Sequence, residues 1–190
     1  MKLFSLIKSL RLIPHILVFY TRNKKDKSLL IYERDIWLKL NRFEKKGLRG
    51  FLFLLNIFPE YRSLFYYRTK ASYLRHFAKG QTNLYFHTPS ELIGRGLMIW
   101  HGYGTVINAQ SIGEDCQIWQ LCTIGKKNTE PVENRPIVGN NVKICTNSLI
   151  IGNIKVDDNC TIAGGAVVLK DIPKNAIVAG NPAVIKKCVL

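Results

Sequence analysis

The chain has 190 residues, 47% of them apolar and 22% charged, with 28 Lys and Arg against 13 Asp and Glu for a net charge of +15. That length suits one compact domain plus an appendage, and a mean hydropathy of +0.01 argues against a disordered polymer. Five cysteines, odd in number, without a CxxC pair and with no histidine at ligand spacing, argue against a disulfide framework or a metal site and for a reducing compartment.

The charge is unevenly spread. Residues 1–90 carry 18 basic and 5 acidic side chains, +13 of the +15, and 17 of the 20 aromatic residues. In chain order, Leu3, Phe4, Ile7, Leu10, Ile13, Ile16 and Leu17 fall at helical spacing between Lys2, Lys8 and Arg11, the pattern of a basic amphipathic helix. Lys8, Arg11, Pro14 and His15 interrupt this stretch and no small-residue cleavage site follows, so it reads neither as a signal peptide nor as a membrane span. A second helix is predicted from Leu29 to about Lys46, ending before Gly47 and Gly50, and a third from Phe51 to Phe58, stopped by Pro59. Tyr61 to Phe77 is predicted as one more aromatic-rich helix.

Three partners suit such a region. An anionic membrane surface, or a lipid-linked substrate on it, would use the cations for phosphates and the aromatics as anchors. A helical packing module would leave the same charges solvated. Nucleic acid would need a helix-turn-helix, zinc-finger or RNP-like motif, and the sequence contains none.

The second half follows a different rule. Val138, Ile144, Ile150, Val156, Ile162 and Val168 recur every six residues, Val106, Ile112, Ile118 and Ile124 repeat that period upstream, and Ile93 and Ile99 start a run offset by one. Six matches neither a helix nor simple strand alternation, but it fits a coil of short strands meeting at regular corners, with one aliphatic per strand pointing into a narrow prism. The positions four residues on (Cys116, Cys122, Val142, Ser148, Ile154, Cys160 and Ala166) should point inward too, which makes the cysteines small filler. Gly and Asn, as at Gly139, Asn140, Asn141, Gly152, Asn153, Asn159, Gly164 and Gly165, supply the corners. The stretch GKKNTEPVENRP, Gly125 to Pro136, breaks the hexad and is predicted to project as a loop. The expected division is a basic, aromatic-rich α-helical domain over 1–84 and an all-β solenoid over 85–190.

IGRGLMIWHGYGTVINAQSIGEDCQIWQLCTIG and PIVGNNVKICTNSLIIGNIKVDDNCTIAGGAVVLKDIPKNAIVAGNPAVI, spanning roughly residues 85–187, resemble the hexapeptide-repeat acyltransferases. Within them the sequence is similar to the branch that holds the serine acetyltransferases and polysaccharide O-acetyltransferases. IWHGYGTVIN and AGGAVVLKDIP…VAGNPA are the specific signals; PEYRSLFYYR gives the helical half a looser likeness to the same branch. The resemblance implies a left-handed parallel β-helix, a handedness that spacing alone does not give because crossovers are ordinarily right-handed. It also implies a homotrimer that binds acetyl-CoA in the grooves between prisms.

Acetyl transfer needs a base that takes a proton from the attacking hydroxyl and returns it to the departing CoA thiol, work that imidazole suits at neutral pH. Of His15, His76, His87 and His101, only His101 lies in the solenoid, where the repeat slips, and it matches the family's catalytic histidine. The Asp that orients this histidine in serine acetyltransferases is matched by Phe86; a backbone carbonyl, Glu91 or an acidic group from another coil remain as partners. The family's Asp directly before the histidine is matched by Trp100, and its Arg-His pair at the loop end by Asn134 and Arg135. An ammonium group would then meet an indole in place of a carboxylate, which disfavours free L-serine. A sugar ring stacks well on an aromatic, and Trp100 and Tyr103 sit in the WHGY context similar to enzymes acting on cell-surface polysaccharides or their lipid-linked precursors. For the donor, Thr146 and Gly164 match positions that contact the CoA arm, while Lys126, Lys127, Lys186 and Lys187 are candidates for its phosphates.

The leading expectation is therefore an acetyl-CoA-dependent O-acetyltransferase of polysaccharide sugars, in the cytoplasm or at the inner face of the plasma membrane. Serine O-acetyltransferase and a non-catalytic trimeric scaffold are the alternatives. A carbonic anhydrase on the same prism would need several zinc-binding histidines, and one solenoid histidine is too few.

Overall fold

A computed structural model describes residues 10–127, 131 and 134–188. The predicted helical positions Leu3, Phe4 and Ile7, and residues 128–130 and 132–133 of the predicted loop, lie outside the described residues. The chain forms two compact units, Met1–Gln81 and Thr82–Leu190.

The first unit contains helices α1 (Ile13–Thr21), α2 (Lys24–Leu40), α3 (Gly47–Ile57) and α4 (Pro59–Thr69), then a 3-10 turn at Ser72–His76. Helix α2 starts five residues before its predicted Leu29 because the Asn23 side chain accepts a hydrogen bond from the Asp26 N–H, satisfying a first-turn donor. It ends at Leu40, short of the predicted Lys46, where Asn41 caps it and Arg42 turns with a φ of +59°. Gly47, read from sequence as a terminator, instead opens α3. Pro59 separates α3 from α4 as predicted, occupying the first turn of α4, where a missing N–H costs nothing. The helix predicted over Tyr61–Phe77 stops at Thr69 because Lys70 adopts the left-handed conformation.

Aromatic rings fill the core of this unit. Trp37 meets Phe58 and Tyr61 edge-on, and Phe51 packs between Phe19 and Phe65 with centroids 4.9 and 5.3 Å away. Two pairs of polar side chains are buried against each other, as burial requires. Arg68 Nη2 donates to Glu33 Oε1 at 2.6 Å with both side chains at most 2% exposed. His15 Nε2 lies 2.8 Å from the Tyr66 hydroxyl, which donates to the Ala78 carbonyl at 2.6 Å.

Among the described residues the second unit is a β-helix of fourteen short strands, all but the last parallel, from β1 (Leu84–Phe86) to β14 (Val184–Cys188). One face stacks β1, β3, β6, β9 and β12; a second stacks β4, β7 and β10; a third stacks β2, β5, β8, β11 and β13, edged by antiparallel β14. Lys143 registers with Thr161, so a regular coil is eighteen residues, three hexads. Three aliphatic columns fill the prism: Ile107, Ile124, Ile150 and Val168; Ile93, Ile112, Val138, Val156 and Ile172; Ile99, Ile118, Ile144, Ile162 and Val178. Each such side chain, essentially removed from water, stabilises by about 1.5–3 kcal/mol.

Two sequence-level assignments are corrected. Val106 points outward and is half-exposed, and Ile107 takes the inward place. The long corner before it puts Ile107 eight residues after Ile99, and Ile112 follows only five residues later, so counting six back from Ile112 lands on Val106. Ile154 is also half-exposed, because Gly152 turns the chain with φ +101° just before it. The other predicted filler positions are buried, including Cys116, Cys122 and Cys160.

The corners explain the polar residues. Asp115, Asn141, Asn159 and Asn175 each adopt positive φ immediately before a buried inward residue, a conformation that Asn and Asp tolerate best among residues with a Cβ. Gly94, Gly113 and Gly139 stack where coils approach most closely. A Cβ on Gly113 would stand 2.6 Å from the Gly139 carbonyl carbon. Gly113→Ala is therefore expected to cost about 1–3 kcal/mol by forcing the coils apart, read as a shift of the urea unfolding midpoint against wild type.

Candidate active site

One edge of the prism, where the third face turns into the first, brings several predicted residues together. In the first complete coil this corner is Trp100–Gly104, between β2 (Met98–Ile99) and β3 (Thr105–Ile107). Its length is the source of the repeat's slip. His101 sits at its apex with φ +56°, and Gly104 follows at +65°. A histidine in the left-handed region is uncommon, and such residues collect at functional sites. The imidazole is exposed and stands outside the prism.

The coils beneath continue the edge. The Leu121 N–H donates to the Tyr103 carbonyl, and the Asn147 N–H and Thr146 hydroxyl both donate to the Gln120 carbonyl at 3.0 and 3.2 Å. The Gly165 N–H donates to the Thr146 carbonyl at 2.9 Å. A Cβ on Gly164 would come within 3.3 Å of that carbonyl, so the backbone lies close and bare here. His101, Tyr103, Thr146 and Gly164 thus share one edge.

Trp100 also belongs here. Its Nε1–H donates to Gln117 Oε1 at 3.1 Å, and its ring stacks on Trp119 one coil on, with centroids 5.9 Å apart and planes 22° apart. Both indoles remain half-exposed, forming a platform beside His101. Sequence reasoning missed Trp119 and Gln117, although the spacing of Ile99 and Ile118 sets Trp119 beneath Trp100. It also missed Gln120, whose Oε1 is buried without a hydrogen-bond partner among the described residues.

Other predicted residues lie elsewhere. Asn134 and Arg135 precede β7 (Ile137–Val138), at the edge joining the first face to the second, a strand away from the His101 edge. Arg135 Nη1 donates to Asn108 Oδ1 at 3.1 Å, tying the loop to the coil above. Lys126 leaves β6 (Thr123–Gly125) at that same edge, and Lys186 is exposed on β14. Within one chain, then, Asn134, Arg135 and Lys126 do not join His101. Glu91 sits in a 3-10 turn on the way into the second face, and Phe86 registers with Ile107 at the far end of β3, so neither stands at the His101 corner.

Four of the five thiols offer no rival nucleophile; the fifth, Cys188, is exposed at the end of β14. Burial pushes Cys116 up to about 12 and also raises Cys122, Cys145 and Cys160, keeping them protonated where a thiolate would be needed.

Comparison with known proteins agrees with this architecture. Residues 135–170 match the family of bacterial transferase hexapeptide repeats (six repeats). Serine acetyltransferase from Synechococcus elongatus is 34% identical over 110 residues, 57% of this chain and 45% of that protein. The Staphylococcus epidermidis enzyme of the same name is 39% identical over 100 residues, 52% of this chain and 47% of its own length. The matches thus take in less than half of these relatives. Among solved structures, Neisseria gonorrhoeae serine acetyltransferase superposes with a TM-score of 0.66 at 21% identity, covering 91% of this chain and 70% of that one. A serine acetyltransferase solved in complex with CoA gives 0.65 at 22% identity, covering 88% and 72%. The fold is the left-handed parallel β-helix with a helical N-terminal region. Residues 135–170 thus match bacterial transferase hexapeptide repeats, and the solenoid is similar over 96–110 residues to part of several serine acetyltransferases.

Proposed function

We propose that the protein is an acetyl-CoA-dependent O-acetyltransferase with His101 as its general base. The observation that carries this reading is His101 held outside the prism on an enlarged corner, above a bare backbone edge at Thr146 and Gly164. The relative solved with CoA supports the donor. His101 takes the proton from the acceptor hydroxyl as its oxygen attacks the thioester carbonyl. When the tetrahedral intermediate collapses the C–S bond breaks, and the imidazolium returns the proton to the CoA sulfur. The acetyl group passes directly to the acceptor, with no acyl-enzyme.

The assembly we infer is a homotrimer. Tyr103 and Leu121, stacked on the His101 edge, are 47% and 48% exposed in the single chain; a neighbouring prism would cover them and enclose the site. It would also let a neighbour's Asn134 and Arg135 approach a His101 that their own chain keeps them from.

Two acceptors follow from different observations. The curated relatives are serine acetyltransferases, which favours L-serine over a glycan. The Trp100–Trp119 platform favours a sugar hydroxyl, because the apolar face of a pyranose stacks on indole while an ammonium gains no carboxylate there. The test is CoA release from acetyl-CoA with L-serine, nucleotide sugars or lipid-linked glycans offered separately. Turnover with L-serine alone establishes the first acceptor. If only a sugar is turned over, Trp100→Ala should raise KM for it roughly tenfold. No turnover and no calorimetric binding of acetyl-CoA would overturn the enzyme reading.

A further inference from the structure

We infer that the exposed face of α1, with the lysines at its junction with α2, is a docking surface for an anionic lipid bilayer. On α1, Ile13, Leu17 and Tyr20 are 48%, 61% and 55% exposed and recur at steps of three or four, so they form one stripe, and Leu10, 60% exposed, precedes the helix in the chain. The opposite side of the same segment is packed: Leu12, His15, Val18 and Phe19 are buried against the helical core. The stripe is therefore left over after the core is satisfied.

Cations flank it. Residues 10–27 contain Arg11, Arg22, Lys24, Lys25 and Lys27 against the single acid Asp26. Lys27 closes the stripe at its C-terminal end, its Nζ donating to the Tyr20 carbonyl at 3.0 Å and lying 5.6 Å from the Tyr20 ring centroid. One turn further along α2, Ile31 is 37% exposed. Aliphatic side chains that can enter the acyl boundary, an aromatic at headgroup depth and lysines for lipid phosphates are the elements of an interfacial helix.

The charge selects lipid over a second copy of the chain. Self-pairing through this stripe would bring two sets of the same five cations together, at a cost that anionic headgroups turn into attraction. Among the described residues no helix is long and apolar enough to cross a membrane, so this surface would lie on the bilayer. The inference stands apart from the acetyl-transfer reading, and its test reads binding alone.

The full chain should co-sediment with vesicles of mixed phosphatidylglycerol and phosphatidylcholine at low salt, and not with phosphatidylcholine alone. Binding should weaken as salt screens the headgroups. Lys24→Ala/Lys25→Ala should weaken partitioning about thirtyfold, and Leu10→Ser/Leu17→Ser at least about tenfold. These side chains are already exposed, so circular dichroism should show unchanged helix content in both variants. No binding to the anionic vesicles, or equal binding by Leu10→Ser/Leu17→Ser, would overturn the inference. So would sedimentation velocity showing that Leu10→Ser/Leu17→Ser instead splits an oligomer.

Discussion

If the protein is the acetyltransferase proposed above, the His101→Asn variant is expected to lose acetyl transfer by about 10²–10⁴ in kcat/KM, the usual contribution of a positioned acid–base group. Asn is the informative replacement because the position has φ +56°. Alanine there would add left-handed strain of about 1–2 kcal/mol and confuse lost chemistry with a disturbed corner. Asn tolerates the conformation and cannot shuttle the proton. The melting temperature should hold while turnover in a thiol-release assay falls. Turnover at the wild-type rate would remove His101 from the mechanism. A parallel fall in melting temperature and activity would mean that the residue shapes the corner more than it reacts.

The second large effect lies in the helical unit and concerns acid. His15 is fully buried, and its pKa is held down to about 4, first by burial and then by the nearby Arg62 and Arg11 guanidinium groups. The hydrogen bonds point the same way. The Tyr66 hydroxyl spends its proton on Ala78, so it accepts from His15 Nε2–H, and Nδ1 is left as a bare buried lone pair. Protonating Nδ1 would place a charged donor where no acceptor stands among the described residues. The unfolded chain has an ordinary histidine near 6.5 and binds that proton first. Stability from His15 is therefore complete above about pH 6.5 and is lost as pH falls toward 4, by about 3 kcal/mol. Urea unfolding at pH 7 and pH 4.5 should show this loss in wild type and less of it in His15→Gln, whose amide can still donate to Tyr66. Equal losses in the two proteins would assign the acid sensitivity to other groups.

Legibility from sequence varied with the range of the interaction that fixes each feature. The hexad in Ile112, Ile118 and Ile124, and again from Val138 to Val168, was plain because every coil repeats the same local demand for one aliphatic inside and a small residue or turn former at the corner. It failed at Val106 because the step from Ile107 to Ile112 is five residues where the period is six, and only pairing with β6 shows that Ile107 faces inward. Helix ends shifted for a comparable reason. Gly47 carries the signal of a stop, yet it serves as the start of α3, and Asn23 caps α2 ahead of the apolar residues from Leu29 that marked the helix in sequence. Trp119 went unnoticed because it lies nineteen positions after Trp100, a step visible only when the register of Ile99 and Ile118 is known.

By itself the sequence determined the contrast between the two halves and the six-residue period of the prism, but His101 is not the sole histidine there, since His87 follows β1 in the second unit and its backbone N–H donates to the Ile107 carbonyl. Composition and a fixed local period repeat the same physical constraint many times, and that redundancy survives without coordinates. The tertiary structure alone decided which residues meet. It set Trp100 on Trp119, aligned Thr146 and Gly164 below His101, moved Asn134 and Arg135 to another edge and left one face of α1 uncovered. Those relations depend on how coils register and how helices pack, through contacts between residues far apart in the chain, which no local pattern encodes.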